Sequence, residues 1–288
     1  MTPETQHTYR CRHRQRVRWV EVDLQKIVFN AHYLTYLDTA MAAYWRDLAL
    51  PYQEALGSLG GDLYVKKASL EYHASARYDE VLEVGMRCAH IGNTSLLFNG
   101  SIWRGSKLLI SGELVYVFAD PATQRPKPVP LTLRSILEGF ERGDPMTDTV
   151  YGGWSMVQNA VQALRIQVFE DEKGLKGSEV GDHIDATAMH LLIRNQLQQA
   201  VSAARLQFEG GDAWISHLAV HSSLRESGLG VQMLEILKLK AREAQATRIL
   251  LQTSGDLVEY FVRAGGFEVL KTPSGKSNKD QVTLGISL

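Results

Sequence analysis

The stretch Arg16-Val-Arg-Trp-Val-Glu-Val-Asp23-Leu-Gln-Lys26-Ile-Val-Phe-Asn30-Ala-His-Tyr-Leu-Thr-Tyr-Leu-Asp38 decides how the first half of the chain is read. Upstream of it, Arg10, Arg12, Arg14, Arg16 and Arg18 recur with a period of two, as the solvated face of a strand does. Downstream, Tyr33, Leu34, Leu37, Met41, Tyr44, Trp45 and Leu48 recur at spacings of three and four. That spacing predicts an amphipathic helix of roughly four turns. Asp23 therefore stands where a strand runs into the loop before a helix. Further along, Leu82, Val84, Met86 and Cys88 alternate with Glu83 and Arg87, and Leu108, Ile110, Leu114, Tyr116 and Phe118 repeat the pattern. These predict half-buried antiparallel strands, hence one helix lying on a curved antiparallel sheet.

Proline-rich Asp120–Pro130 ends the sheet, and Leu131–Arg142 reads as a closing helix. At 288 residues with 44% hydrophobic content, the chain is long enough for two domains with separate cores. The stretch 143–154, with Asp144, Pro145, Asp148, Gly152 and Gly153, has turn composition and is expected to link a domain of residues 1–142 to one of 155–288. Beyond it the pattern becomes mixed α/β. Val161–Phe169 and Val231–Ala244 read as helices; Met189–Ile193, Trp214–Val220 and Arg248–Gln252 read as strands. Cys11 and Cys88, the two cysteines, are far apart and offer neither a disulfide framework nor a CxxC metal site. A net charge of −1 gives no overall attraction to nucleic acid or membrane. No apolar run is long enough to span a bilayer, and Met1–Arg10 lacks the apolar core of a signal peptide, so a cytoplasmic protein is expected.

The segment around Asp23 resembles the 4-hydroxybenzoyl-CoA thioesterase branch of the hotdog superfamily. The resemblance continues through Tyr78-Asp-Glu-Val-Leu-Glu-Val84, Ile91-Gly-Asn-Thr-Ser95 and Gly112-Glu-Leu-Val115, covering about the first 140 residues. It implies an α+β hotdog domain that hydrolyses an acyl-CoA thioester, paired into a homodimer or homotetramer with the acyl groove between protomers. It places Asp23 as the catalytic carboxylate, nucleophile or general base, and Asn30 where a backbone N–H at the helix start polarises the thioester oxygen. Taken alone, the two residues read as a turn aspartate and a helix N-cap. Two departures stand out: Lys26 replaces the glycine common three residues after the aspartate, and Asn30 stands where many relatives have histidine.

In the second half, Ile215-Ser-His-Leu-Ala-Val-His-Ser-Ser-Leu-Arg225-Glu-Ser-Gly228-Leu-Gly230-Val-Gln-Met-Leu234 joins strand, loop and helix through Arg-x-x-Gly-x-Gly. It resembles the pyrophosphate loop of the GNAT N-acetyltransferases, and implies a mixed α/β GNAT domain that binds coenzyme A or acetyl-CoA. Gly228 and Gly230 let backbone N–H groups approach phosphate, and the helix beginning there points its positive end at the anion. The cofactor-binding set is Leu218, Ala219 and Val220 on the strand, facing the pantetheine arm, with Arg225, Glu226, Ser227, Gly228, Leu229 and Gly230 on the loop. Val168–Glu172 and Asp182–His190 resemble the start of one GNAT subgroup, and Tyr260–Phe267 its closing Tyr-x-x-x-Gly-Phe element. An extra residue before Gly266-Phe267 puts Val262 at the strict position of the tyrosine that protonates the leaving thiolate, so Tyr260 is the candidate acid. His217 and Glu172 are candidate bases.

The expected function is acyl-CoA thioester hydrolysis with a fused acetyl-CoA-binding domain, its acceptor unknown, with no metal. Two other readings remain: an acetyltransferase with the hotdog half as dimeriser, and a non-catalytic acyl-CoA sensor or scaffold.

Overall fold

The computed structural model describes residues 6–270 and 281–288. The chain forms two compact units, Met1–Met146 and Thr147–Leu288.

In the first unit the elements run β1 (Cys11–Arg16), α1 (Asn30–Asp47), α2 (Tyr52–Ser58), β2 (Asp62–Tyr72), β3 (Val81–Ile91), β4 (Ser95–Arg104), β5 (Lys107–Ala119) and α3 (Leu131–Arg142). The five strands form one antiparallel sheet in the order β1-β3-β4-β5-β2. The period of the apolar residues in α1 explains its position. Tyr33, Tyr36, Leu37, Ala40, Met41, Tyr44 and Trp45 are buried, while Leu34, expected on the same face, is 40% exposed. The apolar stripe is therefore narrower than the sequence spacing indicates. Leu37 sits against two glycines that pair across β4 and β5, Gly100 and Gly112. A Cβ built on Gly100 would lie 2.5 Å from Leu37 Cδ2 and one on Gly112 3.3 Å from Leu37 Cδ1. The paired glycines thus make the shallow seat that lets the helix approach the sheet. The arginines of β1, Arg12, Arg14 and Arg16, lie on its exposed face.

The second unit contains β6 (Thr147–Gly153), α4 (Trp154–Arg165), β7 (Met189–Asn195), β8 (Ala200–Glu209), β9 (Asp212–Val220), α5 (Leu229–Glu243), β10 (Arg248–Ser254), α6 (Val258–Gly265), β11 (Glu268–Val269) and β12 (Gln281–Ser287). Its seven-stranded sheet has the order β11-β12-β10-β9-β8-β7-β6. Neighbours are antiparallel except β9 and β10, which are parallel and joined by the crossover helix α5. Helix α4 continues into a π-helical turn, Ile166–Asp171.

The expected linker is corrected here. Residues Thr147–Gly153 form an edge strand paired along its length with β7, and Trp154 begins α4. Edge pairing rests on backbone hydrogen bonds, so polar residues and glycines sufficed. Strand β8 had no alternating signal because both faces of the sheet are covered. Its neighbours Ala203 and Ala204 enter different cores, Ala203 with Val157 and Val161 of α4, and Ala204 with Met233 and Leu237 of α5. Among the described residues no helix is long and apolar enough to cross a membrane.

The seat of Leu37 gives a direct test. Gly100→Ala should lower the stability of the first unit by about 1–3 kcal/mol through overpacking, read as a lower urea midpoint with unchanged slope.

Candidate functional site

Asp23 heads a tight turn. Its Oδ1 accepts the N–H of Gln25 at 2.8 Å, its carbonyl accepts from Lys26 N at 3.0 Å, and its own N–H donates to Ile27 O at 2.9 Å. A bridge between Val22 and Val28, and a 2.9 Å bond from Phe29 N to Glu21 O, carry the chain back as a short hairpin. Lys26 closes the turn at φ 62°. A lysine thus holds the left-handed conformation that glycine adopts without steric cost. The departure at Lys26 leaves the turn intact.

Helix α1 begins at Asn30, with Phe29 as N-cap and no side-chain cap. The N-cap reading of Asn30 is therefore replaced: Asn30 is the first helical residue, and its side chain is exposed. His32 N donates to the Phe29 carbonyl at 2.9 Å, so the first-turn N–H groups that helical geometry leaves without an internal partner are those of Asn30 and Ala31. The Asn30 carbonyl accepts from Tyr72 Oη at 3.3 Å. Asp23 and Asn30 are separated by the hairpin's rungs, roughly 10 Å of extended chain. The fold places both on one short segment without joining them in a contact.

What secures this segment is a residue the sequence reading passed over. Glu21 is 1% exposed. Its carboxylate accepts from Tyr36 Oη at 2.6 Å and from the backbone N–H and Nε of Arg18, each at 2.7 Å. Burial pushes the carboxyl upward, but the Tyr36 and Arg18 hydrogen bonds and the Arg18 charge overcome it and hold it below the usual value. The Arg18-x-x-Glu21 spacing was the available signal, since side chains three apart meet around one turn. Trp19, Val20 and Leu24 beside this turn are 73%, 75% and 103% exposed, an apolar rim around Asp23.

Residues 25–111 match the Thioesterase superfamily model, starting two residues after Asp23. The N-terminal part of the chain is a hotdog-fold thioesterase domain. Among curated relatives, the acyl-CoA thioester hydrolase YbgC of Escherichia coli O6:H1 is 28% identical over 128 residues, 44% of this chain and 92% of the relative. The acyl-CoA thioesterase YbgC of Haemophilus influenzae is 22% identical over 120 residues, 42% of this chain and 88% of the relative. A solved structure, hypothetical protein TT1821 from Thermus thermophilus, aligns at 27% identity and TM-score 0.41 over 44% of this chain and 97% of its own.

The second unit brings its candidate residues together differently. Strands β9 and β10 pair only as far as Ile215 and Leu251. Beyond that point β9 continues to Val220 without β10, so Leu218, Ala219 and Val220 lie along an edge that no described strand pairs on that side. A bulge opposite Ala203–Arg205 sits where this pairing ends, and His217 takes φ 49° within it. The loop that follows uses left-handed backbone at Glu226 (φ 65°) and Gly228 (φ 92°), Gly228 being the N-cap of α5. At Gly230 a Cβ would lie 2.1 Å from Tyr260 Oη. Tyr260 on α6 thus brings its hydroxyl to the glycine loop, whereas Val262 is an exposed apolar residue. Burial raises the Tyr260 phenol above its ordinary value, favouring the protonated form.

Arg225 is engaged with Glu172 through a two-pronged ion pair, Nη1–Oε1 2.5 Å and Nη2–Oε2 2.6 Å. The hydrogen bonds from Arg225 hold Glu172 below the usual carboxylate range, which makes it a poor base. His217 donates from Nε2 to Ser178 O at 3.2 Å, fixing its tautomer, and burial with the charges of Arg165 and Arg205 lowers its value. Both effects favour the neutral imidazole with its proton on Nε2. Among the described residues no group of three or more His, Cys, Asp or Glu side chains is placed to hold a metal ion.

The Glu21 cluster titrates in a definite direction. Its folded value lies below the 4.5 of an ordinary glutamate, so its stabilisation is complete above that pH and is lost as pH falls through the lower folded value. Glu21→Gln should therefore cost about 2 kcal/mol at neutral pH, with the gap to wild type narrowing in urea melts at about pH 3.

Proposed function

We propose that this chain hydrolyses acyl-CoA thioesters in its hotdog domain and binds acetyl-CoA in its second unit. The observation that carries the first part is the Asp23 turn. It presents a carboxylate on the hairpin that runs into the N-terminus of α1, two residues ahead of the stretch that matches the Thioesterase superfamily. Asp23 supplies the carboxylate that adds to the thioester carbonyl or activates water toward it. The N–H at Asn30 and the positive end of α1 hold the oxyanion. By the first route the C–S bond breaks to leave an acyl-Asp23 anhydride, which water opens to the free acid while giving a proton to the thiolate; by the second the proton Asp23 takes from the attacking water passes to the departing sulfur of coenzyme A. The acyl-CoA substrate class is supported by the YbgC relatives, whose names describe that activity. The exposed rim of Trp19, Val20 and Leu24 supports a second copy of the chain completing the acyl groove in a homodimer or homotetramer.

For the second unit, the reading as a GNAT domain is supported by the parting of β9 from β10, the bulge at His217 and the glycine loop at the start of α5. An edge left by diverging strands offers backbone hydrogen bonds to the amides of a pantetheine arm. The loop from Arg225 to Gly230 ends at a helix N-terminus, which suits a pyrophosphate. Because Arg225 is committed to Glu172 and the Ser227 N–H to the Leu224 carbonyl, the phosphates are held by backbone N–H groups of Gly228, Leu229 and Gly230. Tyr260, with its hydroxyl at Gly230, is the acid for a departing thiolate.

Asp23→Ala should lower kcat for thiol release by on the order of a hundredfold or more while the protein melts as wild type; unchanged turnover would refute the role. Gly230→Val, which forces a side chain onto Tyr260, should weaken acetyl-CoA binding to the second unit at least tenfold by calorimetry.

A further inference from the structure

Between His221 and Gly230, Arg225 is the only lysine or arginine, and its guanidinium is taken up by an acid from another element. Glu172 caps the π-helical turn Ile166–Asp171 and accepts from both Nη atoms of Arg225, at 2.5 and 2.6 Å. The pair occupies the planar fork that a guanidinium otherwise offers to a phosphate. The turn that carries Glu172 is itself anchored to the same strand and loop. The side-chain amide of Gln167 hydrogen-bonds the His221 ring at 2.9 Å, and the Phe169 ring lies edge-on to His217 with centroids 6.1 Å apart. The π-turn thus meets β9 and the loop before α5 at three places. The fold, rather than a loose surface tail, delivers this carboxylate to Arg225.

The charges make that delivery unfavourable for an anionic ligand. Glu226, the next residue of the loop, is an exposed acid. With Arg225 neutralised by Glu172, Glu226 is the only Lys, Arg, Asp or Glu between His221 and Gly230 whose charge is uncancelled. A phosphate held at the N–H groups of Gly228, Leu229 and Gly230 recruits Arg225 only by breaking the pair. That exchange leaves the Glu172 carboxylate unpaired beside a second anion, and like charges at short range repel. The hydrogen bonds from Arg225 also hold Glu172 below the usual carboxylate range, so the acid stays charged at neutral pH.

We infer that Glu172 is an autoinhibitory latch: by holding Arg225 it keeps the guanidinium off the coenzyme phosphates and lowers the affinity of the second unit for acetyl-CoA. The inference rests on the reading of this unit as an acetyl-CoA site.

The test is isothermal titration calorimetry of the full chain with S-ethyl-CoA, a thioether that carries the coenzyme phosphates and cannot be hydrolysed. Wild type is compared with Glu172→Gln and with Glu172→Gln/Arg225→Met, and Gly230→Val identifies which binding belongs to the second unit. Glu172 is exposed, so its neutral isostere leaves the fold intact. Glu172→Gln should bind tighter than wild type by about threefold or more at the Gly230-dependent site, and adding Arg225→Met should remove the gain. Loss of a merely structural contact would weaken binding or leave it unchanged, so the direction of the effect is diagnostic. Equal or weaker binding in Glu172→Gln, or a gain that survives Arg225→Met, would overturn the latch while leaving the acetyl-CoA reading in place. Absence of Gly230-dependent binding in every protein would overturn both.

Discussion

Burying the carboxylate of Glu21 beneath the start of α1 obliges the chain to satisfy it, and the groups that do so set the geometry around Asp23. Arg18 closes on it from the preceding turn and Tyr36 from the second turn of the helix. Its own carbonyl takes the N–H of Phe29, the N-cap. One residue thereby ties the incoming strand, the hairpin and the helix together. The Asp23 turn is held at one end of that hairpin and the open helix start at the other. A charged group with so many partners is strongly destabilising to break. The catalytic reading therefore rests on a residue that does no chemistry.

Both units use the same physical resource in different settings. Helix α1 begins without a side-chain cap, and α5 begins at a left-handed glycine, also without one. In each case backbone N–H groups are left for a ligand where a Ser, Thr or Asp cap would have used them. The hotdog domain sets a carboxylate on the same segment; the second unit sets a strand edge freed by divergence from β10. In the proposed reading, hydrolysis and cofactor binding are thus separated by what accompanies the helix start.

Elements with a one-sided core were legible in the sequence. Helix α1 and strands β3 and β5 each bury one face, so apolar residues recur at the period of the element. Strand β8 was not legible because consecutive residues serve two cores. Strand β6 was not legible because an edge strand needs little apolar surface. At the sites, Asp23 and Asn30 stood out through the family resemblance, since alone they read as a turn aspartate and a helix N-cap, and the glycine loop through its Arg-x-x-Gly-x-Gly spacing. Glu21 did not, because it matters through Tyr36, a partner fifteen residues along the chain that only the fold brings to it. Counting along the sequence likewise could not show that the Tyr260 hydroxyl meets Gly230, a contact made in three dimensions.

Thiol release from the intact chain, followed continuously across acetyl-, medium-chain, long-chain and aromatic acyl-CoAs, tests the central claim most directly. The account predicts multiple turnovers with at least one of these classes, without added metal or acceptor. Failure to release thiol from any of them would contradict it.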